Sequence, residues 1–316
     1  MTKNDGELRF DGRVAVVTGA GRGLGREHAL LLAARGAKVV VNNRSAEPAG
    51  AVVGEITAAG GTAVSCASDV SSKSGAQAPI ETALERFGRV DILVNNAGIY
   101  QFGAFGDYPD DVLEGTINSH VYGSWYATQA AWPHMVNQSY GRIVMIGSRV
   151  MIGMPNNSAY GMAKGALLGL SNCLAAEGAP HNIHVNTLSV AGYTDGVKAN
   201  LADPAYRSWM AESLPAWMVA PALAWLVHED CEASGEFFSA WGSGFSRLFL
   251  GEGAGHLSVS HEEHTPETIR DDFAAVYDET GYLVAPDNRA SAQWVSERLG
   301  GRSLADHAAA LQKQAG

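Results

Sequence analysis

One pattern limits this chain more than any other. Short, apolar, β-branched runs return along it, separated by Ala-rich stretches with helical spacing. VAVVTG (14–19), AKVVVN (37–42), TAVSCA (62–67), DILVNNAG (91–98), GRIVMIGS (141–148) and IHVNTLS (183–189) read as strands, with a last one near 236–240. Segments 23–36, 73–88, 110–138, 158–179 and 215–228, and a stretch ending near Gly60, read as helices. The strands are continuous apolar runs rather than alternating ones, which marks a parallel sheet covered on both faces. The expected fold is therefore α/β, a single doubly wound parallel sheet of about seven strands. Such sheets bind ligands beyond the carboxyl ends of their strands. The loops 18–25, 42–46, 95–99, 148–157 and 189–196 fall there.

After residue 248 the texture changes. GEGAGHLSVSHEEHTPE carries no strand pattern, and TPETIRDDFAAVYDE (265–279) reads as a helix with Thr265 as N-cap and Pro266 at the first turn. A last helix is expected over 288–299. The reading is a core domain of residues 1–248 and a C-terminal helical extension of residues 249–316, packed on the active site or a dimer interface.

Composition excludes several classes. A net charge of −11 argues against nucleic acid and against an anionic membrane surface. No run approaches the ~18 apolar residues of a spanning helix. MTKNDGELRFDGR has no apolar core of a secretory signal, and LQKQAG is not a Ser-Lys-Leu address. The three cysteines, Cys66, Cys173 and Cys231, show no metal or disulfide spacing. His256, His261 and His264 read as solvated surface, and no metal site is expected. A cytoplasmic location follows as the expectation.

Two motifs carry chemistry. TGAGRGLG (18–25) places Gly19, Gly21, Gly23 and Gly25 directly after an apolar strand. The spacing T-G-x-x-x-G-x-G, with Gly19, Gly23 and Gly25, suits a tight turn that lets a helix N-terminus face a pyrophosphate. Plain turn chemistry is the simpler alternative. In NNSAYGMAKGALLG (156–169), Tyr160 and Lys164 stand one helical turn apart on the same face. Alone, such a pair is commonly a half-buried ring beside a solvated ammonium.

Taken in order, the glycine loop, Asp69, NNAG (95–98), Ser148 and Y-x-x-x-K resemble a short-chain dehydrogenase/reductase of the single-domain type over about residues 10–245. The resemblance implies a Rossmann-like fold and an NAD(P)(H)-dependent oxidoreductase acting on a small-molecule alcohol or ketone. It implies Tyr160 as base, Lys164 as the cation that favours its phenolate, and Ser148 on the substrate oxygen. A free phenol titrates near 10, so action at neutral pH needs a drop of about three units, or roughly 4 kcal/mol. The cofactor would meet Gly19, Gly21, Arg22, Gly23, Leu24, Gly25, Asn43, Arg44, Asp69, Val70, Asn96, Ala97, Gly98, Val190 and Thr194, as well as Tyr160 and Lys164. Asn95 is expected to line the same groove. A family Asn is replaced by His120, which either takes over its role or is a packed histidine. The segment from Ser148 to Tyr160 is about one residue short, and SVAGYT lacks the family's proline.

LRFDGRVAVVTGAGRGLGRE, SWYATQAAWPHM, LLGLSNCLAAEG and WLVHEDCEASGEFF further resemble the dehydrogenase parts of type 2 peroxisomal multifunctional enzymes. That implies a bulky apolar substrate such as a 3-hydroxyacyl-CoA or hydroxysteroid. Trp209, Met210, Trp217 and Met218 would form an apolar lid or simply pack. The family's homodimers or homotetramers are expected here too. A carboxylate at the end of the second strand selects NAD by binding the ribose diol. This chain has Asn43 there, Arg44 next and Arg22 in the glycine loop, which favours NADP(H), with dual use left open. The alternative from another class is a nucleotide-sensing protein of the same fold without turnover.

Overall fold

The computed structural model describes residues 6–258 and 264–298. The strands are β1 (Val14–Val17), β2 (Lys38–Asn43), β3 (Thr62–Ala67), β4 (Ile92–Asn95), β5 (Gly141–Gly147), β6 (Ile183–Ala191), β7 (Phe237–Trp241) and β8 (Gly244–Leu248). They form one sheet in the order β3-β2-β1-β4-β5-β6-β7-β8. β1 to β7 pair in parallel, and β8 returns antiparallel beside β7. The sheet thus has eight strands rather than about seven, and it is parallel except at one edge. The extra strand escapes the sequence reading because GFSRL alternates partly buried with exposed residues, as an edge strand does.

The helices of the core unit are α1 (Gly23–Ala34), α2 (Ala46–Ala58), α3 (Lys73–Phe87), α4 (Asp110–Ile117), α5 (Gly123–Gln138), α6 (Ser158–Gly178), α7 (Asp195–Asn200), α8 (Pro204–Ser213) and α9 (Ala220–Leu226). Strand alternation divides the core between the two faces. Ala15, Val17, Val39 and Val144 pack with Leu32 of α1, Ile56 of α2 and Leu223 of α9. Val14, Val16, Val40 and Met145 pack on the other face with Ile80 of α3, Met135 of α5 and Leu167 of α6. Continuous apolar strands are the requirement of this double covering.

The order reverses between β1 and β4, whose neighbours lead off in opposite directions. A crevice opens at such a switch point, flanked by the loops after the two strands. Here those loops are TGAGRGLG and NNAG. At the opposite end, buried Asp91 accepts the Val14 N–H at 2.9 Å and binds Arg89 at 2.6 and 2.8 Å and Arg13 at 3.4 Å.

The chain divides into two compact units at Leu248–Phe249. In the second, α10 (Pro266–Asp271), α11 (Phe273–Val276) and α12 (Asn288–Arg298) are helical. Thr265 caps α10 through a reciprocal pair with Thr268, as expected of that residue. The helix expected over 265–279 is broken at Asp272. His256 is not solvated surface: its ring is enclosed, with Nδ1 2.9 Å from Asp272 and Nε2 2.8 Å from the Ser258 hydroxyl. His261 lies outside the described residues.

Candidate active site

Tyr160 and Lys164 lie on the first two turns of α6. Lys164 is 3% exposed. Its Nζ donates to the Ile146 carbonyl at 2.5 Å and lies 5.4 Å from the centre of the Tyr160 ring. Burial pushes the ammonium down to about 7. The Tyr160 ring is met edge-on by Tyr100 at 4.9 Å and His120 at 5.4 Å. Burial pushes its phenol up to about 12, against a hydrogen bond with Ser148 that lowers it. The Ser148 oxygen accepts the Val150 N–H at 3.2 Å, which leaves its proton free for the phenol.

The expected drop in the phenol is therefore not produced by the chain's own groups. The same burial that surrounds Tyr160 weakens the charge of Lys164, whose amine is committed to a carbonyl. Desolvation of the phenolate outweighs the remaining attraction.

His120 sits in a π turn, Asn118–Tyr122, between α4 and α5. The sequence reads through this point as one helix, because a single wide turn leaves the apolar period almost unchanged. The ring is 3% exposed, and burial first, then the charge of Lys164, drives it down to about 3. Nε2 lies 2.8 Å from the Ile99 carbonyl. A carbonyl only accepts, so Nε2 carries the proton in the neutral ring. Nδ1 is left as a buried acceptor with no partner among the described residues. The ring also fills the space above Gly98, where a Cβ would lie 1.9 Å from Cε1. The ring is therefore packed, and it keeps one acceptor nitrogen without a partner among the described residues.

Several of the predicted cofactor residues lie in the two loops that flank the switch-point crevice. Gly19 has φ +62°, and a Cβ there would lie 2.8 Å from the Ala97 Cα. Thr18 Oγ1 accepts the N–H groups of Asn96 and Ala97, both at 3.0 Å, and Asn96 Nδ2 donates to the Thr18 carbonyl at 2.8 Å. Leu24 lies against Gly192, and Thr194 lies near Gly23 while capping α7. Asn43 closes over Gly21 and donates to the Ser45 carbonyl at 3.1 Å. Asp69 is exposed and accepts the Ser71 N–H at 3.0 Å, whereas Val70 is buried under Gly123. Val190 is partly buried against the core, and Gly25 is buried at the start of α1. Asn95 departs from expectation. It is buried away from the groove, donating to Thr128 Oγ1 at 3.0 Å and facing Met145 Sδ at 3.3 Å.

A nicotinamide dinucleotide fits this crevice on two observations. Its glycine cradle has no room for a Cβ at Gly19, and Arg22 and Arg44 are exposed without an ion pair among the described residues. Of the four residues expected to form an apolar lid or to pack, Trp209 and Trp217 are 49% and 59% exposed, and Met210 is buried. Tyr100 meets the Tyr160 ring and Arg149 follows Ser148, with its guanidinium 5.5 Å from the Trp241 ring, and none of the three was anticipated. Each stands in or beside a loop where no periodicity singles it out.

Residues 13–203 match the short chain dehydrogenase family. The chain is 39% identical over 293 residues to the peroxisomal multifunctional enzyme type 2 of Drosophila melanogaster, covering 88% of this chain and 47% of that protein. It spans about half the length of that relative. The full-length structure of the fly enzyme superposes with a TM-score of 0.77 and 35% identity, over 93% of this chain and 50% of the other. A 7α-hydroxysteroid dehydrogenase complexed with NADH and 7-oxo glycochenodeoxycholic acid is similar at a TM-score of 0.71 and 30% identity, over 77% of this chain and 98% of that one. A short chain dehydrogenase of Burkholderia cenocepacia in complex with NADP is similar at 0.67 and 33%, over 74% and 98%.

Proposed function

Because this chain belongs to the short chain dehydrogenase family, an oxidoreductase acting on CH–OH groups with a nicotinamide cofactor, we propose that Tyr160 is its proton-transferring residue, that NADP(H) is its preferred cofactor, and that its substrate is bulky and apolar. A 3-hydroxyacyl-CoA or a hydroxysteroid is such a substrate. The observation that carries the reading is the convergence of Ser148, Tyr160 and Lys164 beside the glycine cradle, at the carboxyl edge of one sheet.

Bound NADP supplies the hydride acceptor and a positive charge. The chain supplies the rest. The Ser148 hydroxyl fixes the phenol oxygen and orients the substrate oxygen toward it. In alcohol oxidation Tyr160 accepts the hydroxyl proton, and in ketone reduction it returns one. Lys164 opposes the desolvation that raises the phenol, and a bound oxidised nicotinamide would add a second positive charge. His120, whose ring meets that of Tyr160, offers Nδ1 as a hydrogen-bond acceptor inside the site. Arg22 and Arg44 would hold the 2′-phosphate, and Asp69 would meet the adenine edge. Thr194 and Val190 would border the carboxamide.

Nicotinamide reduction by purified protein tests this, with NAD and NADP offered separately against a 3-hydroxyacyl-CoA, a hydroxysteroid and a simple secondary alcohol. Turnover that survives Tyr160→Phe removes the proposed base. Two further parts, cytoplasmic location and assembly as a homodimer or homotetramer, belong to the same proposal. Fractionation tests the first, since the fly relative is peroxisomal by name. A solution mass equal to one chain ends the second.

A further inference from the structure

The turn that follows Ser148 leads into a second feature of the carboxyl edge. A pocket of about 350 Å³ is lined by Arg149, Ala191, Trp209, Leu214, Trp241 and Gly244, among others. Ala191 and Trp241 are register partners at the ends of β6 and β7. The pocket therefore stands on the same sheet whose β5 delivers Ser148. The Arg149 N–H donates to Ser189 Oγ at 3.1 Å, which ties the backbone down. Its guanidinium lies 5.5 Å from the centre of the Trp241 ring. That is a loose cation–π contact, and it leaves the guanidinium's N–H donors uncommitted.

The charge has no counterpart among the described residues. Among the described residues Arg149 makes no ion pair and no side-chain hydrogen bond. Arg13, Arg26 and Arg247 are each engaged by carboxylates. Among the described residues no acid lines the pocket. Opposite stands Trp209, 49% exposed and stacked on Tyr206 at 5.4 Å. The site thus offers flat apolar walls and one planar cation. A guanidinium matches the two oxygens of a carboxylate, and of a phosphate, in a single fork.

We propose that Arg149 and its two tryptophans bind an anionic headgroup of the substrate, so that the natural substrate is a secondary alcohol or ketone with a flat apolar body and a carboxylate. This rests on the reading that Ser148 and Tyr160 hold the reacting oxygen. It makes Arg149 a specificity-determining residue, one position from the catalytic serine.

Calorimetric titration tests it, with 2-naphthylacetate, its methyl ester and 2-naphthyl phosphate added to the full chain and to Arg149→Gln and Arg149→Lys. The side chain is exposed, so both variants are expected to melt with the parent. The acid should bind about tenfold or more tighter than its ester. Arg149→Gln should abolish that preference, and Arg149→Lys should keep part of it. A phosphate that binds tighter still, with the same dependence on Arg149, supports the site and makes phosphate the headgroup. Equal binding of acid and ester, a preference unchanged in Arg149→Gln, or no binding of any probe overturns the proposal. The readout needs no hydride transfer. A chain that turns over neutral alcohols without this preference loses the anion site alone. One that binds the acid through Arg149 but turns over nothing loses the oxidoreductase reading alone.

Discussion

At the scale of single residues, the site is a contest between burial and charge. The Tyr160 phenol, at about 12, is protonated at neutral pH, and Lys164, at about 7, holds only part of its charge there. A protonated phenol is ready to donate and must be deprotonated to accept. Ketone reduction should therefore change little between about pH 6 and 9 on the account of Tyr160, while alcohol oxidation rises across the same range. Initial rates in both directions check this, and an oxidation rate that falls with pH contradicts it. Tyr160→Phe should lower both by roughly 100- to 10,000-fold. The identities in this site were readable because each type serves one chemistry. The balance between them was not, because desolvation depends on what surrounds α6. Cofactor choice is the second residue-scale case. Asn43 and Arg44 stand where a carboxylate would select NAD. Arg44→Asp should reverse the preference, costing NADP about tenfold or more in apparent affinity. Titration of both cofactors by fluorescence reads this, and an unchanged ratio shows Arg44 pointing to water.

Elements were legible in proportion to their burial. β1 and β4 are continuous apolar runs and were placed by sequence alone, as was the N-cap of α10. β8, α7 and α8 were missed, since two short polar helices and an edge strand carry no long apolar period. The π turn at His120 was missed for a related reason, although it decides where that ring points. What the runs do not reveal is how the strands are pinned. Asp91 is fully buried and joins the amino end of β1 to β4 through the Val14 N–H and two arginines. Removing a partner from a buried ion pair costs most when the remaining charge is trapped. Here Arg13 and Arg89 reach solvent, with side chains 23% and 40% exposed. The main loss is then the orphaned N–H, and Asp91→Ala should destabilise by about 1–3 kcal/mol. Urea unfolding measures it. A change within error would mean that water replaces the carboxylate.

For the molecule as a whole, composition spoke mainly by exclusion. The chain carries a net charge of −11 with histidine taken as neutral, and among the described residues no helix is long and apolar enough to cross a membrane. Charge counts treat every histidine alike, whereas the fold does not. His28 in α1 is fully buried, neither ring nitrogen has a partner among the described residues, and burial holds it down at about 3. His120 is held at about the same value. Both are depressed from 6.5, so the unfolded chain takes up protons that the folded chain refuses. Their contribution is complete above about pH 6.5 and is lost as pH falls toward 3, each at roughly 1.4 kcal/mol per pH unit. Lys164 adds no slope in this window: with its value lowered to about 7, its contribution changes with pH only above that point. His28→Leu removes one of the two histidines and replaces unpaired nitrogens with apolar volume. The variant should be as stable as the parent or more so near pH 7. Below about pH 6 its unfolding free energy should fall less steeply, by up to about 1.4 kcal/mol per unit. Carboxylates contribute equally to both proteins, so the difference between the two curves isolates His28. Parallel curves would mean that His28 finds a proton acceptor or water in the folded protein, and that the acid sensitivity arises elsewhere.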